Sequence, residues 1–261
     1  YALQVGDSED NAIPQSIESL IHGRLNSLSG EAKSVLQALS LIGEQSDIVF
    51  IAELVGVDGN DLSEILAESS AIGLINPLRG QSVRFRHAII ADACATTVPK
   101  ATKQKVHQRA IDVFSVLYSD LDQHYEQLAF HAENAGDDEN AIEYYWLAGL
   151  RARKRSATGS LLLIFKQALS CMNRVGAPAN DRYVDFVLMA YASLIQVGEF
   201  TEMKSHLPKA LELVKQQRNV GKICAALCNQ GMANWFDGRY QAGLETTEEA
   251  LVMARAMNSM P

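Results

Sequence analysis

Cys224 and Cys228 stand four residues apart, a spacing that places both thiols on one helical face and would supply half of a tetrahedral metal site. No histidine or second cysteine pair lies near them, so the sequence assigns them to the buried core of a helical element as small hydrophobes. His124 and His131, with Glu126 and Glu133 close by, invite the same metal chemistry, but they read better as solvated or capping side chains. No metal site is therefore expected. Met189, Met203, Met232, Met253 and Met257 fall at helical spacings and are expected to fill cores. The phosphate-cradling loop GxxxxGK(S/T) is absent, as are GxGxxG, GxSxG, HExxH and paired CxxC motifs. The chain is therefore expected to be no enzyme.

Charge is distributed unevenly. The 261 residues carry 23 Lys and Arg against 31 Asp and Glu, a formal net charge of −8. Yet the stretch from Arg79 to Arg109 holds Arg79, Arg84, Arg86, Lys100, Lys103, Lys105 and Arg109 against Asp92 alone. Such a segment could grip nucleic-acid phosphates. The acidity of the whole chain favours instead a positive face that docks against an acidic partner or domain. A second cluster, Arg151, Arg153, Lys154 and Arg155, reads as the solvated side of a helix.

The elements that must position these residues are helical. Hydrophobic residues make up 48% of the chain, enough to exclude disorder, and no run approaches the length needed to span a bilayer. Prolines are sparse and the intervals between them carry 3.6-residue periodicity. Four scattered cysteines suit a reducing cytoplasm, and Tyr1 to Asn11, with three acids, is unlike a signal peptide. The chain begins with Tyr and has no methionine before Met172, which suggests an excised piece of a longer protein.

From Pro14, the residues Ile17, Leu20, Ile21, Leu25 and Leu28 form one apolar stripe. Val35, Leu36, Leu39 and Ile42 form a second, begun at Ser29 and stopped at Gly43. A short helix is expected from Ile48 to Val55, and another after a capping Asp58, with Leu62, Ile65 and Leu66 inward. The period then changes: Gly73 to Pro77 breaks helix, Arg79-Gly80 turns, and Ser82 to Arg86 alternates polar with apolar. Compact helices followed by a small hairpin give the order of a winged helix-turn-helix domain. A helix from about Lys100 to Leu117 leads out of it.

Beyond residue 120 a pattern returns. Gly136 to Ala141 with Tyr145 and Ala148 is matched by Ser156 to Leu161 with Phe165, Ala168 and Leu169. It recurs as Gly198 to Phe200 with Met203, Leu207, Ala210 and Leu211, and as Gly238 to Tyr240 with Gly243, Thr247, Ala250 and Leu251. The pattern G-x-(F/Y)-x-x-A-x3-(F/Y)-x2-A-L resembles the tetratricopeptide repeat, which implies stacked helical hairpins and a groove that binds a protein or peptide. No capping helix follows Met260, which suggests a missing neighbour. The expected architecture is a linker over 1–13, a winged-helix domain with exit helix over 14–110, and a repeat solenoid over 111–261.

Phe85-Arg86-His87-Ala88-Ile89-Ile90-Ala91-Asp92-Ala93 is the most specific string in the chain. It resembles the F-R-H-A-L-I-R-D-A signature that closes the winged helix of STAND-type signalling ATPases, which couple a P-loop ATPase module, a winged helix and tetratricopeptide-like repeats. Ile13-Pro14-Gln15-Ser16-Ile17 through Arg24-Leu25-Asn26-Ser27-Leu28 resembles the entry helix of that group. Ala132 to Asp137 followed by Ala141-Ile142-Glu143-Tyr144-Tyr145 resembles its repeat start. The resemblance implies a non-catalytic regulatory region of a bacterial-type signalling protein. Its ATPase neighbour would bind ATP or ADP and dock on the winged helix. The output domain would be an adenylyl or guanylyl cyclase, a kinase or a DNA-binding regulator. It further implies that His87, with Arg86 beside it, approaches the nucleotide phosphates, although Ala91 departs from the arginine usual in the signature. Two alternatives are a DNA-binding winged-helix regulator with a repeat sensor, and a freestanding repeat adaptor.

Overall fold

The computed structural model describes residues 15–43, 45–76, 80–176, 180–195 and 201–258. The fold is mostly helical. The chain divides into two compact units, Tyr1–Ser119 and Asp120–Pro261.

The first unit begins with α1 (Gln15–Asn26) and α2 (Gly30–Ile42). The Ser29 hydroxyl accepts from the Ala32 N–H, and its own backbone N–H and hydroxyl donate to Glu68 at 2.7 and 2.8 Å. This N-cap thus also ties α2 to α4. Strand β1 (Gln45–Asp47) leads into α3 (Ile48–Val55), capped by the Asp47 carboxylate. Asp58 caps α4 (Gly59–Ala71) by accepting from the Asn60 and Asp61 N–H groups. Strand β2 (Ser82–Arg84) precedes α5 (Ala88–Thr96) and α6 (Lys100–Leu117).

Gln45, Ser46 and Asp47 pair antiparallel with Arg84, Val83 and Ser82, and Ile75 bridges to Phe85. The strand β1 is a departure from the sequence reading, which placed no element between Gly43 and Ile48. Three polar residues carry no strand periodicity, and only pairing to β2 makes them a strand. Leu36, Leu39, Ile51, Leu62, Leu66, Leu74 and Ile75 are wholly buried, and Phe50 meets Phe114 edge-on at 4.8 Å to seat α6 on α3. Leu20 is exposed despite its place in the expected stripe, while Ile21, Leu25 and Leu28 are buried. Leu20 therefore marks the edge of the face that α1 turns inward.

The second unit consists of α7 (Tyr125–Ala135), α8 (Asp138–Lys154), α9 (Thr158–Val175), α10 (Asn180–Leu194), the short α11 (Thr201–Lys204), α12 (Leu207–Gln217), α13 (Val220–Phe236) and α14 (Tyr240–Asn258). Long helices pack in chain order, α7 on α8, α8 on α9 and α13 on α14. The turns carry a residue with positive φ at Gly136, Ser156, Gly176, Arg218 and Gly238, most of them about twenty residues apart. The anchors at 136 and 156 therefore mark consecutive turns at the two ends of α8, not the same turn of successive hairpins. Gly176 and Arg218 add turns that the pattern did not pick out. The third anchor, Gly198 to Phe200, lies outside the described residues, as do Ile13 and Pro14.

Small residues set the spacing between helices. A Cβ on Gly231 would fall 2.4 Å from Thr247 Oγ1 and 3.1 Å from the Gly243 carbonyl, so α13 and α14 touch backbone to backbone there. Ala141, Tyr145, Ala148, Phe165, Ala168, Ala210 and Ala250 are buried at pattern positions, whereas Tyr240, Thr247 and Leu251 of the last repeat are exposed.

Candidate functional site

In the first unit Arg86 follows β2 and is exposed, and its backbone N–H donates to the Leu74 carbonyl at 3.0 Å. That pairing lays the Arg86 side chain across Gly73. A Cβ at Gly73 would sit 3.2 Å from Arg86 Nη1, and the same point lies 3.8 Å from Arg24 Nη1 at the end of α1. Gly73 also has φ +75, a conformation that favours glycine. Two guanidiniums thus converge over one glycine. His87 occupies the N-cap of α5, makes no side-chain capping bond and is exposed. Of these residues, Arg24 and Gly73 were absent from the sequence-level site. The signals available were the helix-breaking glycine and the basic last turn of α1.

The basic stretch does not form one face of uniform use. Arg109 donates to Glu53 Oε1 at 3.0 Å, Arg84 and Lys100 are exposed, and Arg79 lies outside the described residues. Lys105 and Arg109 rim a cleft of about 320 Å³ between α2, α3 and α6, floored by Ala38, Leu41, Leu54 and Val98.

In the second unit, Arg174 of α9 donates to both oxygens of Asp138 at 2.6 to 3.0 Å, to Glu133 Oε1 at 2.8 Å and to Ser170 Oγ at 2.8 Å. The Tyr145 hydroxyl donates to the other oxygen of Glu133 at 2.8 Å. Hydrogen bonds from Arg174 hold the Asp138 carboxyl below its ordinary range. Burial, then the nearby Glu133 charge, pushes the Cys171 thiol up to about 12, so it stays protonated and is a poor nucleophile. The cluster joins α7, α8 and α9 and leaves no cation free for a ligand. It is a clamp.

Several sequence expectations require correction. His131 is buried rather than solvated, its ring centroid 5.3 Å from that of Phe130. His124 stands at the N-cap of α7, half-buried and without a side-chain capping bond, with its Nδ1 2.7 Å from Gln127 Oε1. Cys228 is exposed and Cys224 half-buried, because α13 turns Ile223, Ala226, Leu227 and Ala233 inward and leaves the face bearing Cys228 open. Met232 and Met257 are also exposed, whereas Met189 is buried. Met203's side chain lies outside the described residues. Of the cluster at the end of α8, Arg153, Lys154 and Arg155 are solvated as expected. Among the described residues no group of three or more His, Cys, Asp or Glu is placed to hold a metal, and no helix is long and apolar enough to cross a membrane.

The open face of α13 continues onto α14. Met232, Trp235 and Phe236 on α13, and Tyr240, Leu244, Leu251 and Val252 on α14, are each 44 to 66% exposed. Trp235 meets Tyr240 edge-on at 4.9 Å, which joins the two faces. Trp235, Phe236 and Tyr240 are each a little over half exposed, so together they present on the order of a few hundred Å² of aromatic surface.

No family model matches this chain. It is 25% identical over 203 residues to an uncharacterised protein of Rhizobium meliloti, a match covering 75% of this chain. The chain spans 19% of the length of that curated relative. A signal transduction ATPase with numerous domains and a tetratricopeptide repeat sensor, from Pyrococcus horikoshii, is similar at a TM-score of 0.39 and 15% identity. That likeness covers 97% of this chain and 48% of the solved one.

Proposed function

We propose that this chain is a non-catalytic, protein-interaction and regulatory region of a multidomain signalling ATPase of the STAND type, acting in the cytoplasm. The observation that carries the interaction role is the set of exposed apolar side chains of α13 and α14 gathered about the Trp235–Tyr240 contact. Exposed apolar clusters of this order are often functional. The occupant is an amphipathic helix, of a protein partner or of the same polypeptide, since exposed apolar residues on two adjacent helices form a shallow seat for a third.

The first unit is read as a winged helix. The order helix, strand, two helices and strand, with β1 paired to β2 and Ile75 bridged to Phe85, supports that reading. The helices α7 to α14, with turns at near-regular spacing, support tetratricopeptide-like repeats. ATP or ADP binds the adjacent ATPase module. His87 and Arg86, exposed at the start of α5, face its phosphates and report its state, because an imidazole N–H and a guanidinium both hydrogen-bond a diphosphate. A partner on the repeats favours one arrangement of winged helix and ATPase over the other, and so releases an output domain such as a nucleotide cyclase.

Two experiments test the two parts. A photo-crosslinking residue placed at Trp235 in the native protein gives one dominant crosslinked polypeptide, whereas the same residue at the exposed, polar Glu139 gives none. Equal yields at both positions would remove the interaction role. Capture of the native protein with an antibody gives a chain much heavier than 28.6 kDa that contains GxxxxGK(S/T) peptides. A native chain near 28.6 kDa would end the ATPase setting.

A further inference from the structure

We infer that Arg24 and Arg86, converging over Gly73, form a clamp for a phosphate group. The two Nη1 atoms stand 3.8 and 3.2 Å from the point where a Gly73 Cβ would be, although they come from elements some sixty residues apart. Like charges so placed repel, and no carboxylate among the described residues pairs with either one. A bridging oxyanion converts that repulsion into attraction from both sides.

A phosphate suits this geometry better than a carboxylate. Two guanidinium forks from different directions offer donors to separate oxygens, and a doubly charged group with three terminal oxygens matches them in number and charge. Gly73 leaves the approach open, since any side chain there would meet Arg86 first. The first turn of α5 opens two residues beyond Arg86, and His87 leaves its N–H groups without a side-chain cap. The inference deepens the role proposed for Arg86 and adds Arg24 as its partner.

The test is calorimetric titration of the full chain at low ionic strength with pyrophosphate, inorganic phosphate and ADP. Pyrophosphate binds once per chain. Arg24→Gln and Arg86→Gln each weaken it at least tenfold, Arg86→Lys weakens it less, and Arg153→Gln in the other basic cluster leaves it unchanged. ADP binding more tightly than pyrophosphate marks a nucleotide as the source, and equal binding marks the phosphate group alone. Both arginines are exposed, so unchanged thermal melting of the variants checks that the fold is intact. Absent pyrophosphate binding, indifference to both substitutions, or an equal loss in Arg153→Gln would overturn the clamp. A tetraglutamate peptide held as tightly through the same arginines would also overturn it. The outcome is separable from the ATPase setting, because binding by both arginines stands even if the native chain proves to be small.

Discussion

Arg174 in the second unit and the pair Arg24 and Arg86 in the first show two uses of the same side chain. Arg174 reaches two carboxylates placed by the neighbouring helices α7 and α8, and a hydroxyl and a thiol of its own helix, and its charge is consumed in holding α7, α8 and α9 together. Arg24 and Arg86 approach one another over a glycine with no carboxylate between them. The first arrangement is a structural clamp, whereas the second is a receptor for an anion. The units differ in their buried groups too. The first holds a buried His107 whose pKa is depressed to about 4, mainly by burial and further by Lys103. The second, besides its buried His131, holds the half-buried Asp138, whose carboxyl is lowered first by hydrogen bonds from Arg174.

The largest effect is expected from His107. Its folded-state pKa lies below the ordinary value of 6.5, so below that value the unfolded chain binds the extra proton first. The first unit then loses stability as pH falls from 6.5 towards 4, by at most about 1.4 kcal/mol per pH unit. Urea unfolding followed between pH 4 and 7 measures this, and His107→Gln removes the slope. A slope unchanged in that variant would assign the effect to another group.

Arg174→Met comes next. It leaves Glu133 and Asp138 without their cation and should cost about 1–2 kcal/mol, limited by the partial exposure of the cluster. The same variant should flatten the acid limb of the second unit. The Asp138 carboxyl is held low by Arg174, so the pair's contribution is full above about pH 4 and lost as pH falls through the lowered value. Tyr145→Phe removes the hydroxyl's bond to Glu133 and should cost about 1 kcal/mol by chemical denaturation. Arg86→Gln should change stability by less than about 0.5 kcal/mol while weakening pyrophosphate binding at least tenfold. A large loss of stability in Arg86→Gln, or none in Arg174→Met, would erase the distinction between receptor and clamp.

Part of the candidate site was legible in the chain before folding. Arg86 and His87 lie in a string with a strong resemblance, and both are exposed at the start of α5. Arg24 was not legible as their partner, because α1 and the segment after β2 are brought together only by packing around Leu74, Ile75 and Phe85. The cysteines fail in the opposite sense. Their spacing placed them correctly on one helical face, but spacing cannot say whether that face meets another helix or solvent.

The sequence by itself determined the helices and their ends. Ser29 and Asp58 cap as their positions require, and Gly43, Gly136 and Gly238 terminate helices, because these effects act within a few residues. The tertiary structure alone decided that Gln45 to Asp47 is a strand, that Met232 and Cys228 lie open, and that two arginines meet over Gly73. Each of these depends on which distant element occupies a given face, and that is settled only when the whole core closes.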